Sequence, residues 1–335
     1  MKPLRTLTAF TLTLLCGAGI GIWLQSYFKV SQTATNLINQ VGLSDYVSSS
    51  TLDSPDQLAA SQSIPPRLQG RLKLYVLVGQ SNMVGAADIP ADIPVSANIF
   101  TFGNDYRWAS AVPPVDSEID QVDLVSFDES PGFGPAQPYA QTLIEKNNNQ
   151  LIGLIPCARN GASITDWAKN PSDQSLYGSC LKRIRAASPM GTVNGILFFQ
   201  GEADAIDPQQ FPTLQPDADA WAEKFATFAY NFRADIGNPR LPLNYAQIGQ
   251  TGDLEGLPNW SAVQAQQENI QIPDAAMIVT KDLPMDGIHF TADGYRTVGQ
   301  RFAAALGTIG ASTETNNAAT NELTNGESLP PESAQ

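Results

Sequence analysis

The sequence predicts an α/β fold, a three-layer α/β/α sandwich with a mostly parallel central sheet. Three observations carry this. From Arg71 onward, short continuous apolar runs alternate with stretches of helical periodicity. Alternation of that kind winds through right-handed crossovers into a parallel sheet covered on both faces. The first run, Leu72 to Val78, mixes β-branched and large apolar residues without strict polar alternation, the pattern of a strand buried on both faces. Between Asp217 and Asp235, Trp221, Phe225, Phe228 and Phe232 recur at helical spacing, one apolar stripe to lay against a sheet.

Taken in order, the chain opens with Lys2 and Arg5 ahead of an apolar stretch from Leu7 to Leu24. That layout over residues 1–30 is expected of a signal peptide or an N-terminal membrane anchor. Either implies export, to a periplasmic or extracellular location, with the membrane touched only through this segment. Residues 31–68, rich in Ser, Thr and Gln, read as a flexible linker, and the polar residues 311–335 as a disordered tail. One domain over 69–310 remains. Its further strands are expected at Ala97–Phe102, Gln150–Cys157, Asn194–Phe199, Leu241–Ile248 and Ala275–Thr280. Helices are expected after Gly134-Pro135 through Tyr139 and Leu143, over 217–235, and over 292–306, the last with Thr291 as N-cap and Asp293 in its first turn. The segment from Ala86 to Gly134 is rich in Pro, Gly and Asp and carries Tyr106, Trp108 and Phe133. A long irregular stretch inside a compact domain is usually functional, so it reads as a lid or a substrate-facing wall, the bland alternative being a solvated insertion.

Composition bounds the function. Of 335 residues 42% are hydrophobic, ample for a core, while the formal net charge is −14 and the isoelectric point near 4.4. A nucleic-acid or anionic-membrane surface needs clustered Lys and Arg, so no nucleic-acid partner is expected. Cys16 lies in the leading segment, leaving Cys157 and Cys180 either as a disulfide or as two buried thiols. One histidine and three cysteines cannot build the usual zinc sites. No metal and no cofactor is expected; the sequence is silent on oligomeric state.

The candidate chemistry starts where the first strand ends, at Gly79-Gln-Ser-Asn-Met83. Open α/β sheets place their sites at the carboxyl ends of strands, so Ser81 is either a helix cap or a nucleophile. The single histidine, His289, follows Asp286 by three residues between the last strand and the Thr291 helix. The Asp286 carboxylate would then orient the imidazole, leaving Nε2 to take the Ser81 proton. The order Ser, Asp, His is that of α/β-hydrolases, but Met83 stands where their G-x-S-x-G elbow needs its last glycine. Acyl transfer also needs donors for the developing oxyanion. The candidates are the Ser81 backbone N–H, Gly161, and the Gln200 side-chain amide. Gln80, Asn82, Glu202 and Trp167 are candidate substrate contacts, with bracing of the site the preferred reading for Glu202 and Asp204 and the alternative for Gln200. For Trp108, Trp167 and Phe133, stacking on a ligand ring competes with core packing.

Four ordered blocks, Gly79-Gln-Ser-Asn-Met83, Pro156-Cys-Ala-x-x-Gly161, Gln200-Gly-Glu-x-Asp204 and Asp286-Gly-Ile-His289, resemble the motifs of the sialate O-acetylesterase-like carbohydrate esterases, a branch of the SGNH hydrolases. The resemblance implies an SGNH/flavodoxin-like sandwich and a metal-independent serine esterase removing acetyl groups from carbohydrates. It implies Ser81 as nucleophile, His289 as general base and acid, Asp286 as its orienter, and Gly161 as an oxyanion donor. Departures are Phe199 where tryptophan is usual, Ala203 for a small polar residue, and Arg159-Asn160 for a smaller pair. The SGNH oxyanion asparagine is also missing, which leaves its role to Gln200. Two rivals remain, a GDSL-type lipase or thioesterase of the same fold and a non-catalytic carbohydrate-binding surface module.

Overall fold

The structure is a computed structural model that describes residues 66–306, apart from 129, 212–214 and 252–255. The expected leader, all but the last residues of the linker, and the tail lie outside the described residues. Among the described residues no helix is long and apolar enough to cross a membrane.

The sheet has seven strands: β1 (Leu72–Gly79), β2 (Ile99–Phe102), β3 (Trp108–Ser110), β4 (Ile152–Pro156), β5 (Gly191–Phe199), β6 (Leu243–Ala246) and β7 (Ala275–Ile278), in the spatial order β3-β2-β4-β1-β5-β6-β7. All neighbours pair in parallel except β2 and β3. β1 sits near the middle with all residues buried but Lys73, as its unbroken apolar run required. Its last residue, Gly79, has φ +142 and faces Phe199 of β5 so closely that a Cβ would run into the Phe199 carbonyl. Only glycine closes that strand end.

Among the described residues six helices complete the layers: α1 (Ser81–Val84), α2 (Ala136–Lys146), α3 (Leu176–Ala187), α4 (Trp221–Ile236), α5 (Trp260–Asn269) and α6 over 292–306. Successive side chains of a strand point to opposite faces, and β5 displays this directly. Phe198 packs its ring 4.7 Å from Phe225 and 5.3 Å from Phe228 of α4. Phe199, on the other face, lies 5.6 Å from Phe290 and 6.4 Å from Phe302 of α6. The aromatic stripe of α4 is therefore core, as its spacing predicted, and α4 ends on Gly237 in the left-handed conformation. The second face buries Tyr75, Leu77, Tyr139, Leu143, Tyr295, Val298 and Phe302 in one cluster.

Sequence reading missed three elements. β3 is three residues long and α5 carries weak apolar periodicity among its glutamines, whereas Leu176, Cys180, Leu181 and Ile184 of α3 do form an apolar stripe that went unread. Cys157 and Cys180 form a disulfide with Cα atoms 5.4 Å apart, tying α3 to the end of β4. A loop of that size contributes about 3 kcal/mol through the unfolded chain.

The 86–134 segment is a wall rather than a lid. Tyr106, Trp108 and Phe133 are buried, and the buried Arg183 of α3 donates to the carbonyls of Phe102 (2.9 Å) and Gly103 (3.2 Å) while pairing with Asp123 at 3.4 Å. Tyr106 donates to the same Asp123 carboxylate at 2.8 Å. This buried network ties the segment to α3, although Arg183 Nε and Asp123 Oδ1 stay without a hydrogen bond.

Candidate active site

Ser81 opens α1 directly beyond the glycine at the end of β1 and is 6% exposed. The N–H groups of Met83 and Val84 bond the Gln80 carbonyl, so the turn closes over Gln80. At the first position of a helix the backbone N–H has no intrahelical partner, which leaves the Ser81 N–H available to an oxyanion. Beside it, the loop after β4 is held to the end of β1 by Cys157 N–H donating to the Leu77 carbonyl (2.8 Å) and Arg159 N–H to the Gly79 carbonyl (3.1 Å). Gly161 in that loop has φ +70, a left-handed conformation that suits glycine. The 86–134 wall backs the loop. Asn160 N–H donates to the Asp128 carboxylate at 2.6 Å, and the Arg159 guanidinium to the Leu124 carbonyl at 2.6 Å.

His289 arrives from a hairpin outside the main sheet. β8 (Met285–Asp286) and β9 (His289–Phe290) pair antiparallel with Asp286 opposite His289, and Gly287 takes the positive φ (+61) of the two-residue turn. His289 Nε2 lies 2.9 Å from Ser81 Oγ, although 208 residues separate them. Burial pushes the imidazole down to about 4, against the opposing pull of the Asp286 charge. Neutral across most of the physiological range, the ring can accept a proton from the serine.

Behind this pair lies a buried polar network. Asn82 donates to Glu202 Oε1 at 2.5 Å and to the Ile288 carbonyl at 2.9 Å, and accepts from the Tyr295 hydroxyl at 2.7 Å. Gln80 Oε1 accepts from Ala203 N–H (3.1 Å), Gly201 N–H (3.3 Å) and Gln200 Nε2 (3.2 Å). Gln200 Nε2 also donates to the Ala162 carbonyl and to Asp204 Oδ2, while Gln200 Oε1 accepts from the Trp221 indole at 2.8 Å. Asp204 further accepts from the N–H groups of Ile164 and Asp217, both at 2.8 Å. Burial raises the carboxyls of Glu202 and Asp204, to about 7 and about 6.

Five sequence expectations are corrected by this network. Gln200 is fully buried with both ends of its amide committed, so it braces the loop after β5 and does not serve as an oxyanion donor. Gln80, Asn82 and Glu202 are buried and bonded to protein groups, Gln80 to the loop after β5 and Asn82 to Glu202, which leaves them as braces. Trp167 is 0% exposed, 5.9 Å edge-on from Phe228, and offers no ring to a sugar. Sequence reasoning missed Tyr295 and Asp128. A tyrosine among the apolar positions of α6 was a signal, since a buried hydroxyl needs a partner; Asp128 carried none.

Comparison with known proteins shows that the fold is shared. The chain is similar, at 24% identity over 270 residues covering 75% of it and 94% of the relative, to a probable carbohydrate esterase of Arabidopsis thaliana. The X-ray structure of the Arabidopsis protein superposes with a TM-score of 0.60 at 23% identity, over 70% of this chain and 98% of that one. A carbohydrate acetylesterase of Xanthomonas citri shares the fold at 20% identity and TM-score 0.51, over 70% of this chain and about half (55%) of that protein. NanS does so at 15% identity and TM-score 0.54, over 73% and 99%. Residues 71–308 match the model of the family described as carbohydrate esterase, sialic acid-specific acetylesterase, and with that match spanning most of its length the chain belongs to this carbohydrate esterase family.

Proposed function

We propose that the protein is a serine esterase that hydrolyses acetyl esters on carbohydrates through an acetyl-enzyme intermediate. The observation that carries this reading is the 2.9 Å approach of His289 Nε2 to Ser81 Oγ at the carboxyl end of the central strand, in a chain of a carbohydrate esterase family. A serine hydroxyl is a weak nucleophile until a neighbouring base takes its proton. His289, neutral through burial, is that base.

Ser81 Oγ attacks the acetyl carbonyl as its proton passes to His289 Nε2. The carbonyl oxygen, now negative, is met by the backbone N–H groups of Ser81 and Gly161, each such donor supplying about 3 kcal/mol in comparable sites. The imidazolium, stabilised by the Asp286 charge, returns the proton to the sugar oxygen as the ester bond breaks. Water then repeats the cycle on the acetyl-enzyme, with His289 again base and then acid. No step calls on a metal or a cofactor, and the substrate is an acetylated carbohydrate.

Ser81→Ala tests this. With the purified protein and an acetylated sugar or 4-nitrophenyl acetate, the variant is expected to lose at least about a thousandfold in kcat with an unchanged melting temperature. Hydrolysis at the wild-type rate would refute the assignment. Esters of increasing acyl length serve as a control, since a lipase-like site would favour the longer chains.

A further inference from the structure

Glu202 is an odd choice for a buried brace. It is 2% exposed, its Oε1 receives the Asn82 amide, and no hydrogen bond reaches Oε2, which is itself buried. A glutamine could accept the same Asn82 bond with no charge to bury, and burying a half-satisfied carboxylate is costly. What a carboxylate adds is a stronger, acceptor-only partner.

That partner bears on the orientation of Asn82. Its two Nδ2 hydrogens go to Glu202 and to the Ile288 carbonyl, and its Oδ1 accepts from Tyr295. Turned by 180°, the amide would set its oxygen against a carboxylate and a carbonyl at once. An ionised Glu202 forbids that flip, and the held amide keeps its grip on Ile288, the residue before His289. Asn82 itself follows Ser81. One side chain thus links the nucleophile turn, the turn after β5, the histidine hairpin and, through Tyr295, the last helix.

We propose that Glu202 is a positioning residue for the hydrolytic pair, holding His289 opposite Ser81 through the side-chain amide of Asn82. This rests on the esterase reading above and adds a residue that never touches the substrate. The titratable groups around Glu202 are Asp204 in its own turn, whose charge opposes ionisation of Glu202, and the Tyr295 hydroxyl, which burial and the Glu202 charge keep protonated. Asp286 and His289 lie on the hairpin beyond Asn82.

The sign of the pH effect follows. Burial raises Glu202 to about 7, so its ionised fraction grows as pH rises through 7. Activity that needs the carboxylate rises over the same interval, well above the inflection of His289 near 4. Stability moves the other way. Between the free glutamate value of about 4.5 and about 7, the unfolded chain binds fewer protons than the folded one, so the fold loses stability as pH rises.

The test uses the purified full-length protein and 4-nitrophenyl acetate from pH 4 to 9. Glu202→Ala is expected to lower kcat by about tenfold or more, with KM changed less than about threefold. Glu202→Gln, which keeps the Asn82 bond but not the charge, is expected to recover only part of that loss and to abolish the inflection near 7 while keeping the acid limb. An inflection near 6 that survives in Glu202→Gln would belong to Asp204. The chain has a single histidine, so 15N-histidine labelling gives one imidazole whose ring signals should shift in Glu202→Gln, a readout that a merely structural role would leave in place. Should Glu202→Ala fail to fold, the Gln profile and the imidazole signals decide. Wild-type kcat in both variants, or a wild-type inflection near 7 with unmoved ring signals in Glu202→Gln, would overturn the proposal. If Ser81→Ala is inactive while these variants behave as wild type, only the role of Glu202 falls; if Ser81→Ala is active, the esterase reading falls first.

Discussion

The two halves of the site are held in opposite ways. Ser81 stands at the end of a buried central strand, backed by Gln80, Asn82, Gln200 and Asp204, whose side chains are committed to one another and to backbone. His289 stands on a hairpin of two-residue strands outside the main sheet, with Asp286 and Gly287 exposed. A lone two-stranded hairpin has little stability of its own. It is pinned on both sides of the histidine, by the Ile288 carbonyl on Asn82 and by the Phe290 ring against Phe199 and Tyr295. Ser81 is thus placed by the sheet, whereas His289 is placed by its anchors.

Three substitutions test that contrast. The largest effect is expected from His289→Ala, which removes the base and leaves both anchors: kcat should fall by about a thousandfold or more, roughly 4 kcal/mol of transition-state stabilisation, with thermal unfolding unchanged. A large drop in melting temperature would mean that the imidazole itself holds the hairpin. Next comes Phe290→Ala, which removes an anchor and leaves the chemistry. Emptying this buried site should cost about 3 kcal/mol in denaturant unfolding and lower kcat as well; full activity in the folded variant would show that Ile288 suffices. The smallest is Asp286→Asn. Its charge raises the His289 pKa against burial, so its loss should move the acid limb of kcat/KM below about 4 and lower kcat by about tenfold, a weaker imidazolium stabiliser at an exposed site. An acid limb displaced upward would contradict the sign of that interaction.

Some of this was legible in the residues and some was not. β1 and its serine were readable because an unbroken apolar run followed by glycine has few other uses. The stripe Trp221, Phe225, Phe228 and Phe232 marked a helix packed on the sheet because periodicity of 3.6 is a local property. The histidine hairpin was anticipated as a motif but not as two strands, since pairs of two residues leave no periodic signal. Trp167 was misjudged for a related reason: an aromatic in an irregular stretch suits a sugar platform and a core equally until its neighbours are known. Gln200 failed as an oxyanion donor because Gln80, Ala162 and Trp221, which occupy its amide together with the neighbouring Asp204, come from three other places in the chain.

The layer architecture, the strand that delivers Ser81 and the one histidine that can serve as the proposed base are all local properties of the sequence. Only the tertiary structure decided which polar residues face the ester and which face inward. The parallel order β4-β1-β5 brings Asn82 to Glu202 across 120 residues and to Tyr295 across 213. The physical reason is that strand and helix patterns arise from neighbours in the chain, whereas the partner that satisfies a buried amide or carboxylate is set by which strand ends the sheet places side by side.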